Sequence, residues 1–252
     1  MKRIEAACGC DKGRIRTNNE DNFYFNGEYL SAENDGLSGT LRFRGEAKRG
    51  VCFAVFDGMG GERYGELAAH AAVRQLKRFL QAPGGPKDMP AWLGDLTVSL
   101  NAAVLDRARE ELTRHMGTTL AGLCFTDDGA YAFNLGDSRV YLDRGSALTQ
   151  LSVDHVDQRA AFSNRVKPSL TQYLGIDEEE FLVEPHVVRC DLTAGDRFLI
   201  CSDGLTDMLT DEEIHSCLRF AGSPQAAVEA LTAAALEHGG RDNVTIIVCE
   251  IL

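Results

Sequence analysis

The pattern of apolar and polar positions divides the chain into a strand-rich first quarter, a helical stretch, a second strand-rich stretch, and a closing mixture of both. Residues 3–10, 22–26, 40–44 and 51–56 carry β-branched, aromatic or alternating residues, with Asn, Gly and Asp clusters between them, which predicts short strands. Two stretches of helical period follow. Across 62–81 the residues Ala68, Ala69, Ala72, Val73, Leu76 and Leu80 share one face, and across 91–114 Leu93, Leu96, Leu100, Val104 and Leu105 do the same. Gly117 is predicted to end the second helix. Strand patterns return at Leu120–Phe125, Tyr131–Leu135 and Arg139–Leu142, separated by Asp127-Asp128-Gly129 and Gly136-Asp137-Ser138, which predicts consecutive hairpins. Residues 151–181 are polar and irregular. Strands near 183–190 and 196–201, helices near 211–220 and 224–238, and a strand at 244–251 complete the chain. Strands and helices come in separate runs, so the expected class is α+β, with antiparallel sheets covered by helices instead of a doubly wound parallel sheet.

Four aspartates stand where such an apolar run meets a turn. Asp21 precedes Phe23-Tyr24-Phe25, Asp57 follows Val51 to Phe56, Asp203 follows Phe198 to Cys201, and Asp242 precedes Val244 to Val248. A folded sheet can gather strand ends from distant positions, and clustered carboxylates repel unless protonated, hydrogen-bonded or neutralised by a cation. A metal-dependent enzyme is the expected reading. Asp-Gly is first of all a turn dipeptide, and Asp128-Gly129, in a polar setting between two strands, reads as a turn and nothing more. Asp57-Gly58 differs, because the following Met59-Gly60-Gly61 leaves room for a ligand near the backbone.

With 252 residues and 44% apolar content the chain can bury a substantial core, and one domain over 1–252 is expected. The nearest candidate for a linker, Ala82 to Lys87, is short and lies between two helical patterns. A net charge of −12 opposes binding to nucleic acid and anionic lipid. Met-Lys-Arg-Ile-Glu opens the chain with no apolar core behind it, and no run of eighteen apolar residues follows, so a cytoplasmic location without membrane association is expected. A monomer is expected as well. Of the eight cysteines, Cys52, Cys124, Cys201 and Cys249 fall in apolar runs and read as reduced core residues. Cys8 and Cys10 face one side of a strand; zinc binding there is the alternative to plain burial.

Six motifs occur in order: Arg16-Thr17-Asn18-Asn19-Glu20-Asp21, Val55-Phe56-Asp57-Gly58-Met59-Gly60-Gly61, Met116-Gly117-Thr118-Thr119-Leu120, Gly136-Asp137-Ser138-Arg139, Ser202-Asp203-Gly204-Leu205 and Gly239-Gly240-Arg241-Asp242-Asn243-Val244-Thr245. In this order the chain resembles the metal-dependent protein serine/threonine phosphatases of type 2C, and Asp-Gly-Met-Gly-Gly is similar to their bacterial branch. The resemblance implies a four-layer α-β-β-α sandwich of two antiparallel sheets flanked by helix pairs, with two Mn²⁺ or Mg²⁺ ions at one end. It implies that Asp57 bridges both ions, that the Gly58 carbonyl completes one, that Asp203 and Asp242 hold the other, and that Glu20 and Asp21 anchor metal-bound waters. Arg16 matches the family arginine that binds substrate phosphate. Thr118, Thr119, Asp137 and Asn243 would hydrogen-bond ligands or tie strand ends. The implied reaction is attack on phosphorus by a metal-activated water without a phosphoenzyme, so Cys201 need not be a nucleophile. Implied substrates are phosphorylated proteins, a Ser/Thr kinase among them.

Two departures alter the expectation. Many bacterial relatives place an aspartate before Met-Gly-Thr-Thr that helps hold a third ion; here that position is His115, which would serve Mn²⁺ better than the harder Mg²⁺. The alternative is a partly exposed histidine complementing a helix dipole. The eukaryotic form has a histidine after Asp-Gly as general acid; Met59 cannot donate a proton, which leaves a metal-bound water or His115. Arg139 and Arg241 read as ion-pair partners. Ser152 to Glu180 matches the family's flap, basic at Arg159, Arg165 and Lys167, and is either a substrate selector or a solvated connection. Thr171 to Gly175 is expected to return the chain to the sheet. Two other functions fit the same fold: a phosphatase dedicated to an anti-sigma-antagonist phosphoprotein, and a non-catalytic scaffold that binds a kinase or phosphoprotein.

Overall fold

Strands that are apolar on both faces need cover on both sides, and the chain supplies it in four layers. The computed structural model describes residues 2–59, 64–82, 86, 88–157, 168–177 and 182–252. One sheet has the order β10-β9-β12-β13-β1-β3, formed by β1 (Arg3–Asp11), β3 (Leu41–Glu46), β9 (Arg139–Asp143), β10 (Leu148–Gln150), β12 (Arg197–Cys201) and β13 (Val244–Ile251). The other has the order β11-β8-β7-β4-β2, from β2 (Asn22–Phe25), β4 (Cys52–Phe56), β7 (Leu120–Thr126), β8 (Gly129–Leu135) and β11 (His186–Cys190). Every ladder is antiparallel. A short ladder joins β5 (Gly58–Met59) to β6 (Gly117–Thr118).

β4 shows how period-two alternation builds the layers. Phe53 and Val55 enter the core between the sheets, whereas Cys52, Ala54 and Phe56 enter the core beneath α1 (Gly65–Gln81) and α2 (Met89–Glu110). On the opposite side, Leu199, Cys201, Ile246 and Val248 pack under α3 (Asp203–Thr206), α4 (Asp211–Phe220) and α5 (Pro224–Glu237). Edge-on rings cross the central layer from Phe43 through Phe53 and Phe125 to Phe198, with centroids 5.7, 6.2 and 6.4 Å apart. Such contacts add about 0.5–1.5 kcal/mol each beyond area burial. Local signals set the starts of α4 and α5. Thr210 and Glu213 form a reciprocal capping box on α4, and Ser223 caps α5 just before Pro224.

Two expectations are corrected. α2 ends at Glu110, where Leu112 takes the left-handed conformation at φ 55°; Gly117 lies beyond it, in β6. Gly136-Asp137-Ser138 is no hairpin: β8 and β9 belong to different sheets, and this segment crosses between them at one end of the sandwich. Thr171 to Gly175 does return the chain, since Leu174 exchanges backbone bonds of 3.0 and 2.8 Å with Thr118. Gly60, Gly61, most of the Ala82–Lys87 connection, and Arg159, Arg165, Lys167 and Glu180 lie outside the described residues. Among the described residues no helix is long and apolar enough to cross a membrane.

Candidate metal centre

Strand ends from both sheets converge on a cleft of about 340 Å³ lined by Arg16, Glu20, Asp57, Gly58, Met59, Thr119, Asp137, Pro168, Leu170, Asp203 and Asp242. Asp57 leaves β4, Asp203 opens α3 after β12, Asp242 precedes β13, and Asp137 sits on the crossover. The backbone around Asp57 is fixed from β6 and β7. Its N–H donates to Thr119 Oγ1 at 3.0 Å, and its carbonyl accepts from the Thr119 N–H at 2.9 Å and Thr118 Oγ1 at 3.0 Å. Thr119 Oγ1 also contacts Ser138 Oγ at 2.6 Å, tying the crossover to the same point. Gly58 and Gly204 permit close backbone approach. A Cβ at Gly58 would stand 2.2 Å from the Gly65 carbonyl, and one at Gly204 would stand 1.9 Å from the Asn243 carbonyl.

Asn243 holds the opposite wall together. Its Oδ1 accepts from the Glu20 N–H at 2.8 Å, and its Nδ2 donates to the Lys12 and Asn18 carbonyls at 2.8 and 3.0 Å. Asp21 lies behind this wall, 1% exposed, and its Oδ2 accepts from Ser202 Oγ at 2.8 Å and Thr245 Oγ1 at 2.7 Å. Burial, helped by the charges of Asp242 and Glu20, pushes the Asp21 carboxyl up to about 7 against those two hydrogen bonds. Burial also raises the Glu20 carboxyl; a bond from Asn18 opposes the shift and the charge of Glu66 adds to it.

Five carboxylates face one arginine across the cleft. Arg16 Nη2 bonds Asp242 Oδ2 at 2.6 Å, and that bond raises the guanidinium pKa, so Arg16 stays charged. The remaining negative charge calls for cations. Among the described residues no three carboxylates, imidazoles or thiols already stand as a ligand cluster. The donors are nevertheless all oxygens, which suits hard divalent ions, and Glu66 Oε2 is buried with no hydrogen-bond partner. The residues present therefore fit Mg²⁺ or Mn²⁺.

The structure brings Arg16, Glu20, Asp57, Gly58, Thr119, Asp137, Asp203 and Asp242 to the cleft, and sets Asp21, Thr118 and Asn243 directly behind its lining. His115 is exposed, beyond the end of α2, and does not line the cleft. Arg139 pairs with Asp154 at 2.6 Å and Tyr141 at 2.8 Å, whereas Arg241 is exposed with no ion pair among the described residues. Cys8 and Cys10 are buried between the sheets, and Cys10 Sγ accepts from Asn19 and Thr245. Sequence reasoning missed Glu66, Ser138 and Ser202. The signal for Glu66 was its place as the one acidic residue in the first turn of α1, just after the Gly-rich run.

The described ends of the 152–180 segment pair with each other. Val156 bridges Leu170, the Asp157 N–H donates to the Ser169 carbonyl at 2.9 Å, and Pro168 and Leu170 reach the cleft wall.

Comparison with known proteins agrees with this geometry. A model described as protein phosphatase 2C matches residues 36–238. The chain is 31% identical to the serine/threonine protein phosphatase PstP of Mycobacterium tuberculosis, over 99% of this chain and 45% of that protein, so it spans under half of that relative's length. It is 30% identical to the serine/threonine phosphatase stp of Listeria welshimeri, over 95% of this chain and 93% of the relative. The crystal structure of the PstP catalytic domain with two manganese ions superposes with a TM-score of 0.78 at 31% identity, covering 100% of each chain. With a family match over residues 36–238, relatives at 30–31% identity along nearly the whole chain and a shared fold over its full length, this chain belongs to the bacterial protein phosphatase 2C family.

Proposed function

We propose that the chain is a metal-dependent protein serine/threonine phosphatase that hydrolyses phosphoserine and phosphothreonine by direct attack of water. The observation that carries this reading is the convergence of Glu20, Asp57, Asp203 and Asp242 with Arg16 on one cleft. Asp57, the Gly58 carbonyl, Asp203 and Asp242 would hold two Mn²⁺ or Mg²⁺ ions, with Glu20 and Asp21 anchoring their waters. When bound, these ions neutralise the carboxylates and supply a nucleophile at neutral pH.

The chain's own residues do the rest. Arg16, half-exposed at the rim, offers a planar fork of donors to the equatorial oxygens of a phosphoryl group and exchanges its Asp242 contact for them. Thr118 and Thr119 keep the Asp57 backbone from moving as charge redistributes. Cys201, beside the Ser-Asp-Gly motif, is fully buried, and burial pushes its thiol up to about 12, which disfavours a cysteinyl-phosphate intermediate. Met59 offers no proton to the leaving alkoxide. Substrates of this reading are phosphorylated proteins, a Ser/Thr kinase among them.

The test is hydrolysis of p-nitrophenyl phosphate and of a phosphothreonine peptide with Mn²⁺. Turnover abolished by EDTA and by Asp57→Ala supports the proposal. Absence of metal-dependent turnover with an intact fold would favour the scaffold reading.

A further inference from the structure

We propose that Cys52 and Cys124 form a reversible modification site, a thiol pair that a small peroxide converts to a disulfide between β4 and β7. The two residues stand opposite each other in register. The Phe125 N–H donates to the Val51 carbonyl at 2.9 Å, which makes Cys52 and Cys124 a non-hydrogen-bonded pair, the position where Cα atoms approach to about 4.5 Å. Disulfides need a Cα separation of about 4.4–6.8 Å, so the bond requires little backbone movement. The thiols already meet, with Sγ to Sγ at 2.7 Å. No other cysteine of these ladders has a thiol opposite it: Cys8 faces Ile247, Cys10 faces Thr245, Cys190 faces Ala130, Cys201 faces Ile246 and Cys249 faces Ala6.

Access selects the oxidant. Both residues are under 5% exposed, but both line a cavity of about 60 Å³ beneath Leu80, Met89 and Trp92. A single water needs about 10–15 Å³ on such a measure, so the cavity admits hydrogen peroxide and excludes a tripeptide disulfide such as oxidised glutathione. In the first step one sulfur attacks a peroxide oxygen, the O–O bond breaks, and a sulfenic acid and one water form. The facing sulfur then attacks the sulfenic sulfur; the S–S bond forms, the S–O bond breaks, and hydroxide leaves with the second thiol proton as water. The pair loses two electrons to the peroxide, and a dithiol reductant returns them. Burial also raises the Cys52 pKa, which makes the oxidation slow compared with that of an exposed thiolate.

The pair lies at the far end of β4 from Asp57, so the disulfide would staple the sheet and leave the cleft open. The experiment treats the folded chain with hydrogen peroxide or with oxidised glutathione, blocks remaining thiols after denaturation, and maps peptides by mass spectrometry. The expected result is a Cys52–Cys124 link after peroxide, lost on dithiothreitol treatment and absent in Cys124→Ala, with no link over the same period in glutathione disulfide. A raised thermal midpoint should accompany the link. Full alkylation of both cysteines after peroxide overturns the proposal, as does a link that forms equally fast with glutathione disulfide.

Discussion

Asp57-Gly58 and Asp128-Gly129 are the same dipeptide at the ends of neighbouring strands, yet their surroundings are opposite. Asp128 is fully exposed in a tight turn, where the Thr126 hydroxyl and Arg189 hold its carboxyl below the usual range. Asp57 stands among Glu20, Asp137, Asp203 and Asp242, its backbone bonded to Thr118 and Thr119. The second residue differs too. A Cβ at Gly58 would strike the Gly65 and Glu20 carbonyls at 2.2 and 2.5 Å, whereas one at Gly129 would meet a single carbonyl, that of Cys190, at 2.8 Å. One copy turns a chain; the other lets three segments approach close enough to share a charge centre.

The largest effect should come from Asp57→Ala, expected to lower Mn²⁺-dependent kcat/KM by about 10³-fold or more, while Asp128→Ala leaves it unchanged. Steady-state kinetics on both variants checks the contrast. Buried and exposed carboxylates should also separate by pH. Asp21 has a folded pKa of about 7 against an ordinary value of 3.8, so its contribution to stability is most favourable below about 4 and is lost as pH rises through 7. Asp21→Asn should therefore stabilise the chain in EDTA at pH 8 by up to about 4 kcal/mol and change little at pH 4, as read by denaturant unfolding at the two pH values. Asp128, lowered and exposed, has the reverse sign and a weak effect.

Gly58→Ala should cost about 2–3 kcal/mol, because the new methyl meets backbone atoms that cannot rotate away. Gly129→Ala, with one such contact, should cost less in the same urea titration. Thr119→Val removes the hydroxyl that accepts the Asp57 N–H and contacts Ser138; Mn²⁺ affinity, measured by calorimetry, should fall about tenfold with the fold retained.

Much of this was legible from the chain. The helices at 211–220 and 224–237 and the strand at 244–251 match their expected spans because caps and an unbroken apolar run mark them locally. Asp57, Asp203 and Asp242 were legible because each adjoins a strong strand or turn signal, whereas Arg16 and Glu20 were legible only through the family resemblance of their motif. Glu66 was not, since an acidic residue in a first helical turn has an ordinary local reason to be there. For His115 two readings stood, a ligand or acid in the cleft and an exposed residue near a helix end, and its exposure agrees with the second. Its motif neighbour Gly117 enters β6, but α2 ends seven residues earlier and leaves the imidazole in solvent.

Periodicity and turn chemistry, acting over a few residues, were enough to specify the kinds of element, their order and the candidate carboxylates. Which sheet each strand joined was settled only in the folded molecule. Gly136-Asp137-Ser138 has the composition of a hairpin turn, and no local rule separates a return to the same sheet from a step across to the other. That step depends on packing between layers, and it is what carries Asp137 to the cleft; the pairing of β4 with β7, which sets Cys124 opposite Cys52, is likewise a long-range contact that no local pattern specifies.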